Sequence, residues 1–453
     1  MSPVLALIKS VMGGTDAMRQ AAETLLPKYP METATAYNNR LKMNVFLNMF
    51  DMTLNSLVSR PFGTPIKVGE DVPKEIVEFL DDVNMQGDSL DRFCRNWFKD
   101  GLAKGLSHVL VEFPETASKD GLRTLKDDMD EKVRPYLVHI PPENVIFAWA
   151  QVENGKEVLK HVRIFEAVTE MVEFSEVFIE QIRVLEPGNV KIYRKNDKKK
   201  WVIHREFSTT LDFIPLVTFY ADRQDFMLSK PPLKDLADLN IRHWQSMSDQ
   251  IAVLTVARFP MLAASGVGAE DKVTVGPNVL LSNNDTAGRF YYVEHSGKAI
   301  EAGRKELEDL EEKMASYGAT FLRQKTGNHS ATARALDSAE VSSSLEDMAF
   351  GFEDSLNTAM YYVALWMKKN NGGTFQLKKN FNLSQKSESA LTALLEARKL
   401  GDLSREEYLK ALVLLEVLPP DFDIAANLTK RMSEKPMLPP GLPPPEPGGP
   451  QGV

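Results

Sequence analysis

Between residues 297 and 369 the apolar positions fall into two long helical registers with a polar, glycine-containing break between them. In GKAIEAGRKELEDLEEKMASYGATFLRQ the apolar or small positions are Ile300, Gly303, Leu307, Leu310, Met314, Tyr317 and Phe321. They recur at alternating steps of three and four, which predicts a helix with one narrow stripe turned towards a partner. Such a stripe suits the inner face of a helical bundle as well as a contact between subunits. The segment KTGNHSATARA that follows is polar and flexible. From Ala331 to Lys369 a second helical stretch contains no proline. It would reach about 58 Å if continuous.

The pattern changes several times elsewhere. Residues 1–60 carry apolar residues at helical spacing, and Pro61 closes the run. Residues 75–106 give two more helices; Leu90, Phe93, Trp97, Phe98 and Leu102 share one face. SHVLVEFP (107–114) switches to a buried strand. Residues 115–134 are charged, but lack the acid order and closing glutamate of a calcium loop, so a solvated loop is expected. Residues 136–220 are short alternating segments with charged turns, predicting an antiparallel sheet or sandwich. PPLKDLADLNIRHWQSMSDQIAVLTVARF then predicts a helix opened by proline, with Leu233, Leu236, Asn240, His243 or Trp244, Met247, Ile251 and Leu254 as its stripe. Residues 260–297 are glycine-rich with short strands, a small module set between two long helices. FQLKKNFNL reads as a strand. A helical hairpin follows, breaking at Gly401, with Ser404 and Glu407 spaced as a capping box. From Met437 the proline- and glycine-rich chain cannot bury a core and is expected to be disordered or extended.

A chain of 453 residues exceeds one ordinary core, so two to four domains are expected. The 43% hydrophobic and 26% charged composition is that of a folded protein. The net charge of -9 argues against tight non-specific gripping of nucleic acid by the chain as a whole, yet is compatible with DNA sliding past. The single cysteine, Cys94, precludes a disulfide within the chain, fits a reducing compartment and reads as a small core residue. No apolar run approaches the length of a membrane span, and the N-terminus lacks the basic start of a signal peptide.

Motifs for chemistry are missing. Gly297-Lys298 has neither the upstream glycine nor the following Ser/Thr of a phosphate loop. The G-V-G at 266–268 lacks a third glycine and a βαβ setting. The seven histidines have no partners at metal-ligand spacing and read as strand or surface residues. Carboxylates along 301–312 alternate with Arg304 and Lys305, as on a solvated or inter-subunit face. No catalytic residue, metal or cofactor is expected.

The order of parts resembles the portal protein of tailed bacteriophages, an α+β fold. SKPPLKDLADLN is similar to the portal entry into the first stem helix. EARKLGDLSREEYLKAL is similar to the stretch ahead of the crown. YNNRL, GLAKGLSHVLVEFP and PPENVIFAW resemble a podovirus- and siphovirus-like subgroup. The resemblance covers residues 25–430 and implies an N-terminal region and mixed wing over 1–230, stem helices at 231–258 and 298–323, and a small α/β clip at 259–297 between them. It further implies a tunnel loop at 324–331, a long wing helix and return strand over 332–385, a short crown-type hairpin at 386–436 and a disordered tail at 437–453. In such a protein, copies form a homo-oligomeric ring of about twelve at one capsid vertex.

The implied function is a channel for packaging and ejecting double-stranded DNA without sequence specificity. The implied partners are the terminase large subunit, a head-tail adaptor, the major capsid protein and scaffold, with no membrane. The implied location is the virion, with host cytoplasm during assembly. Arg323, Lys325, Thr326, Gly327, Asn328, His329 and Ser330 would face DNA, unless the segment merely connects helices. Phe259, Tyr291 and Tyr292 would dock partners in the clip; strand-core packing is the alternative for the two tyrosines. Ile300, Leu307, Leu310, Met314, Tyr317 and Phe321 would pack the stem. The competing reading is an enzyme on nucleotide or phosphate substrates with a helical oligomerisation domain.

Overall fold

The computed structural model describes residues 2–114, 133–258, 261–265, 287–293, 297–320, 344–379, 383–414, 417–418 and 422–433. The chain divides into two compact units, Met1–Lys379 and Asn380–Val453. Both helices and sheets build the first unit, a mixed α+β architecture.

The first unit opens with helices α1 (Pro3–Met12), α2 (Gly14–Ala21), α3 (Ala34–Met43) and α4 (Met49–Val58). Side chains cap two of them: Thr33 accepts from Ala36 N at 3.2 Å and Asn48 from Asp51 N at 3.0 Å, satisfying amides that a helix start leaves open. Strand β1 (Lys67–Val68) and helices α5 (Lys74–Phe79) and α6 (Leu90–Lys104) follow. Gly105 turns the chain out of α6 at φ +93°, with Pro231 N so near that a Cβ would lie 2.9 Å from it. This turn requires glycine.

Strand β2 (Leu106–Glu112) lies between β3 (Tyr136–Ile140) and β9 (Leu216–Tyr220), antiparallel to both. Between β3 and β9 in sequence, strands β4 (Val145–Glu153), β5 (Lys156–Val172), β6 (Ser175–Glu186), β7 (Asn189–Lys195) and β8 (Trp201–Ser208) form a second antiparallel sheet, a meander in chain order. Val162, Ile164, Leu185 and Val190 of the meander bury against Leu110, Ile140, Ile214 and Leu216. The expected sheet-rich region is therefore two sheets sharing one apolar layer. A small ribbon, β10 (Arg223–Asp225) with β11 (Leu228–Ser229), precedes the long helices.

Helix α7 spans Lys234–Ala257, β12 Met261–Ser265, β13 Arg289–Val293, α8 Lys298–Thr320, α9 Ser344–Trp366 and β14 Phe375–Gln376. The 331–369 stretch is thus helical from Ser344 to Trp366, and its first part lies outside the described residues. Among the described residues FQLKKNFNL holds a two-residue strand, β14, which pairs with the equally short β1. The core beneath β2 is aromatic: Trp97 and Phe98 of α6 meet Phe352 of α9 at 4.8 and 5.2 Å between centroids, and Phe98 stacks on Phe219 at 5.4 Å. Gly101 admits Phe219 so closely that a Cβ would sit 2.4 Å from the ring.

The second unit has three described helices, α10 (Leu383–Leu400), α11 (Arg405–Leu414) and α12 (Ile424–Ser433). Gly401 takes φ +87° at the break, and the capping box forms reciprocally: Ser404 N donates to Glu407 at 3.0 Å, and Glu407 N to Ser404 Oγ at 3.1 Å. The expected hairpin gains a third helix. The calcium-like loop and the proline-rich tail lie outside the described residues.

Candidate functional site: an anchored helix pair carrying a small module

Helices α7 and α8 pack antiparallel along their lengths. Near one end Tyr317 donates to Pro232 O at 3.4 Å; midway His243 Nε2 lies 3.0 Å from Glu311 Oε1 and Arg242 donates to Glu306 at 2.9 Å; near the other end Gln250 donates to Ile300 O at 2.9 Å. Gly303 lets that glutamine approach: a Cβ there would lie 2.2 Å from its side-chain oxygen. Both helices run for about 35 Å. The far end carries β12 and β13, paired antiparallel from Met261↔Val293 to Ser265↔Arg289.

The near half of α7 is enclosed by N-terminal helices. Leu233, Leu236, Asn240 and Trp244 are fully buried, and so are His243 and Ser248. The polar members are held individually. Asn240 accepts from Phe50 N at 3.0 Å and donates to Leu47 O at 2.8 Å, bracing the turn between α3 and α4. Asn44 donates to Trp244 O at 2.9 Å. Arg40 donates to both carboxylate oxygens of Glu32, at 2.9 and 2.7 Å, and to Ser248 Oγ at 3.0 Å. Tyr29, stacked beneath the Arg40 guanidinium at 4.0 Å, donates to Asp249. The near end is clamped by a charged, hydrogen-bonded cluster, whereas beyond Gln250 the described residues of α7 are only partly covered or exposed.

The stripe on α8 lies on the inner side of this pair. Leu307, Leu310 and Met314 are buried, and Ile300, Gly303 and Tyr317 are half-buried. The stripe meets its own chain, α7 and α4, rather than a free partner. The opposite face, with Glu301, Arg304, Lys305, Glu308, Glu312 and Lys313, is exposed. Phe321 and the expected DNA-facing residues Arg323, Lys325, Thr326, Gly327, Asn328, His329 and Ser330 lie outside the described residues, as does Phe259. Tyr291 projects from β13 half-exposed, and Tyr292 pairs through its backbone with Leu262.

Two other places test the enzymatic alternative. Asp100, Ser107 and His139 meet beneath β2. Ser107 Oγ is 2.8 Å from His139 Nε2, but Asp100 approaches that same nitrogen, at 3.5 Å, and accepts from Ser107 at 3.1 Å. A relay needs the carboxylate on Nδ1, so the trio is a closed triangle. Lys104 joins it, 2.7 Å from Asp100 and 2.8 Å from Glu143. Burial would raise the Asp100 carboxyl, but the His139 hydrogen bond and the Lys104 charge outweigh it and hold the group below its usual range. Burial pushes His108 to about 3 and the Cys94 thiol well up, as core groups behave. His108 is a strand histidine, as expected, whereas His243 is neither strand nor surface but buried on helix α7. A cleft of about 190 Å³ opens between β2, β6 to β8 and Trp366. Its Arg183, lowered by burial to about 10, is already ion-paired with Glu112 and Glu166. Among the described residues no cluster of three metal-ligating side chains occurs, and no helix is long and apolar enough to cross a membrane.

A family model described as a domain of unknown function (DUF4055) matches residues 232–367, from the entry into α7 to the end of α9. No curated protein matches the chain. Similar solved structures include the neck of a native GTA particle computed with C12 symmetry, 11% identical over 88% of this chain and 98% of that chain, with a TM-score of 0.42. The neck of an empty GTA particle computed with C6 symmetry is 11% identical over 89% and 99%, with a TM-score of 0.43. The virion of a native gene transfer agent particle is 12% identical over 88% and 98%, with a TM-score of 0.41.

Proposed function

We propose that this chain is a portal-type connector subunit of a phage-like particle, with a structural rather than enzymatic role. The observation that carries the reading is the antiparallel pair α7 and α8, clamped at one end and bearing a separate β module at the other. A rod held at its base and tipped with a module suits a subunit that lines a channel and offers its tip to a partner. In this reading α7 and α8 are the stem, residues 259–297 the clip, 324–331 the tunnel loop, α9 the wing helix and α10 to α12 the crown side.

The buried stripe refines how a ring would close. Because Leu307, Leu310 and Met314 face their own chain, neighbouring stems would meet through the mixed-charge face of α8. Opposite charges alternate along that face, so one subunit's acids can oppose the next subunit's bases in a heterologous contact that closes on itself. DNA would pass through without base recognition, met by polar groups of the loop. A terminase large subunit supplies the packaging energy, and it and then a head-tail adaptor dock at the clip, where Tyr291 is exposed. The major capsid protein and scaffold surround the ring at one capsid vertex of the virion, after assembly in host cytoplasm. The podovirus- and siphovirus-like kind is the subgroup proposed.

Negative-stain electron microscopy with mass determination tests this directly. The expected result is rings with a central channel and a mass of about twelve copies of the 50.8 kDa chain. A chain that stays monomeric, alone and with scaffold and capsid protein, would overturn it.

A further inference from the structure

The five-stranded meander does not end evenly. Pairing of β4 with β5 stops at Val145↔Ile164, and pairing of β6 with β7 stops at Gln181↔Arg194. Beyond those points β5 and β6 pair only with each other among the described residues, up to Val172↔Ser175. The result is a two-stranded arm that projects roughly 25 Å past β4. Both of its edges have open backbone groups, which a β-rich protein ordinarily covers.

The arm's surface is unusual for a solvated hairpin. Phe174 at its tip is 100% exposed, Phe178 73% and Met171 67%. Residues 164–182 include five glutamates and no lysine or arginine. At the arm's base three of these pair within the chain, Glu166 with Arg183 at 3.0 Å, Glu170 with Arg194 at 2.8 Å and Glu180 with Lys195 at 2.5 Å. Glu173 and Glu176 at the tip are exposed and in no ion pair among the described residues.

The complement stands on the same sheet. Residues 189–208, the β7–β8 hairpin, hold seven lysines and arginines against two acids. The β7–β8 turn presents Lys198, Lys199 and Lys200, all exposed and in no ion pair among the described residues. Among the described residues strand β8 is an open edge, paired with β7 alone, and its Trp201, Val202 and Ile203 are exposed. One surface is acidic and apolar with a free edge; the other is basic and apolar with a free edge. Within one chain the arm's base meets β7 through Glu170 and Glu180, but β7 lies between the arm and the outer edge of β8 in one continuous ladder, and among the described residues the arm's tip and that edge are not paired with each other.

We propose that the occupant of each surface is a second copy of this chain: the β5–β6 arm of one subunit lies against β8 and the Lys198–Lys200 turn of the next. The inference rests on the ring reading and says how neighbours lock. The contact is head-to-tail, so every subunit gives an arm and receives one, and repetition closes the ring. Backbone edges supply register, the exposed Phe174 and Phe178 against Trp201 and Val202 supply burial, and opposite charge steers the encounter.

The test uses full-length protein and mass photometry over a concentration and salt series, beside electron microscopy. Charge reversal on the arm (Glu173→Lys with Glu176→Lys) or on the turn (Lys198→Glu with Lys199→Glu) should each weaken association about tenfold or more at low salt. Combining all four should restore it. A second readout uses Phe178→Cys with Val202→Cys. The native Cys94 is fully buried, so oxidation should give a disulfide-linked ladder with this pair and none with either variant alone. All six positions are exposed, and circular dichroism confirms that each variant folds. Wild-type rings whose assembly ignores both reversals, with no ladder, overturn the arm contact and leave the ring reading standing. Wild-type protein that never assembles, even with scaffold and capsid protein, removes both.

Discussion

His108 shows how a polar residue in a strand becomes a pH liability. It sits in the central strand β2, 1% exposed, with Nδ1 2.8 Å from Thr218 Oγ1. Burial lowers its pKa from 6.5 to about 3, so the folded state holds it neutral while the unfolded chain takes up a proton below pH 6.5. Its contribution is therefore fully present above the unfolded value and is lost as pH falls from 6.5 towards 3. Relative to His108→Asn, which keeps a partner for Thr218 but cannot titrate, the wild type should lose about 1.4 kcal/mol per pH unit in that window. Denaturant unfolding at pH 6 and pH 5 measures the difference; parallel pH dependences for the two proteins would refute it. Arg40 makes a related point. Its charge is buried with Glu32, so Arg40→Met should destabilise the first unit by about 3 kcal/mol. Adding Glu32→Gln should recover part of the loss, because the stranded carboxylate is what costs most. Arg40 stood in the YNNRL segment and carried no mark of burial. A sequence pattern ranks arginine as a surface residue, and only the fold reveals that Glu32, eight residues earlier, returns to meet it.

Among the elements, the long helices were legible because a step of three and four survives any tertiary setting, and α7 and α8 lie within the expected segments. What the stripe faces was not legible. Leu307 and Met314 have the same periodicity whether they meet their own chain or another copy. The length of β5 was missed for a different reason. Its outer part and the turn beyond read VTEMVEF, acids mixed with apolar residues, which resembles a turn until pairing with β6 is seen to hold it extended through Val172. Helix α12 was not expected, although Ile424, Leu428 and Met432 recur at steps of four. The capping box at Ser404 and Glu407 was found, since its chemistry is local and needs no partner. Two substitutions on one helix separate its faces. Met314→Ala, at a position with no exposure, should cost about 3 kcal/mol through the cavity it leaves. Lys305→Glu, on the exposed face, should change stability by less than about 0.5 kcal/mol. Unfolding midpoints of both variants check this, and equal losses would mean that the two faces are not distinct.

At the scale of the whole molecule, assembly and passage of DNA belong to different parts of the chain and so come apart under mutation. In the proposed ring the fixed contacts are the charged face of α8 and the arm lying against β8. Neither proposed contact draws on the segment joining α8 to α9. Residues 325–330, KTGNHS, carry one lysine, one histidine and three small polar side chains, with a glycine that removes backbone restraint. Such a set can touch phosphates without reading bases, and is too sparse in charge to hold DNA still. Deleting 325–330 should therefore leave ring mass and thermal midpoint unchanged, while particles built with the variant package or retain less DNA. Lys305→Glu should do the reverse: its folded stability stays level, whereas ring formation shifts to higher concentration and becomes more sensitive to salt. The deletion is read by genome content of purified particles, the substitution by oligomer mass. A deletion variant that fills normally would remove the segment from the DNA path, and the polar composition of 325–330 would then serve only to join two helices.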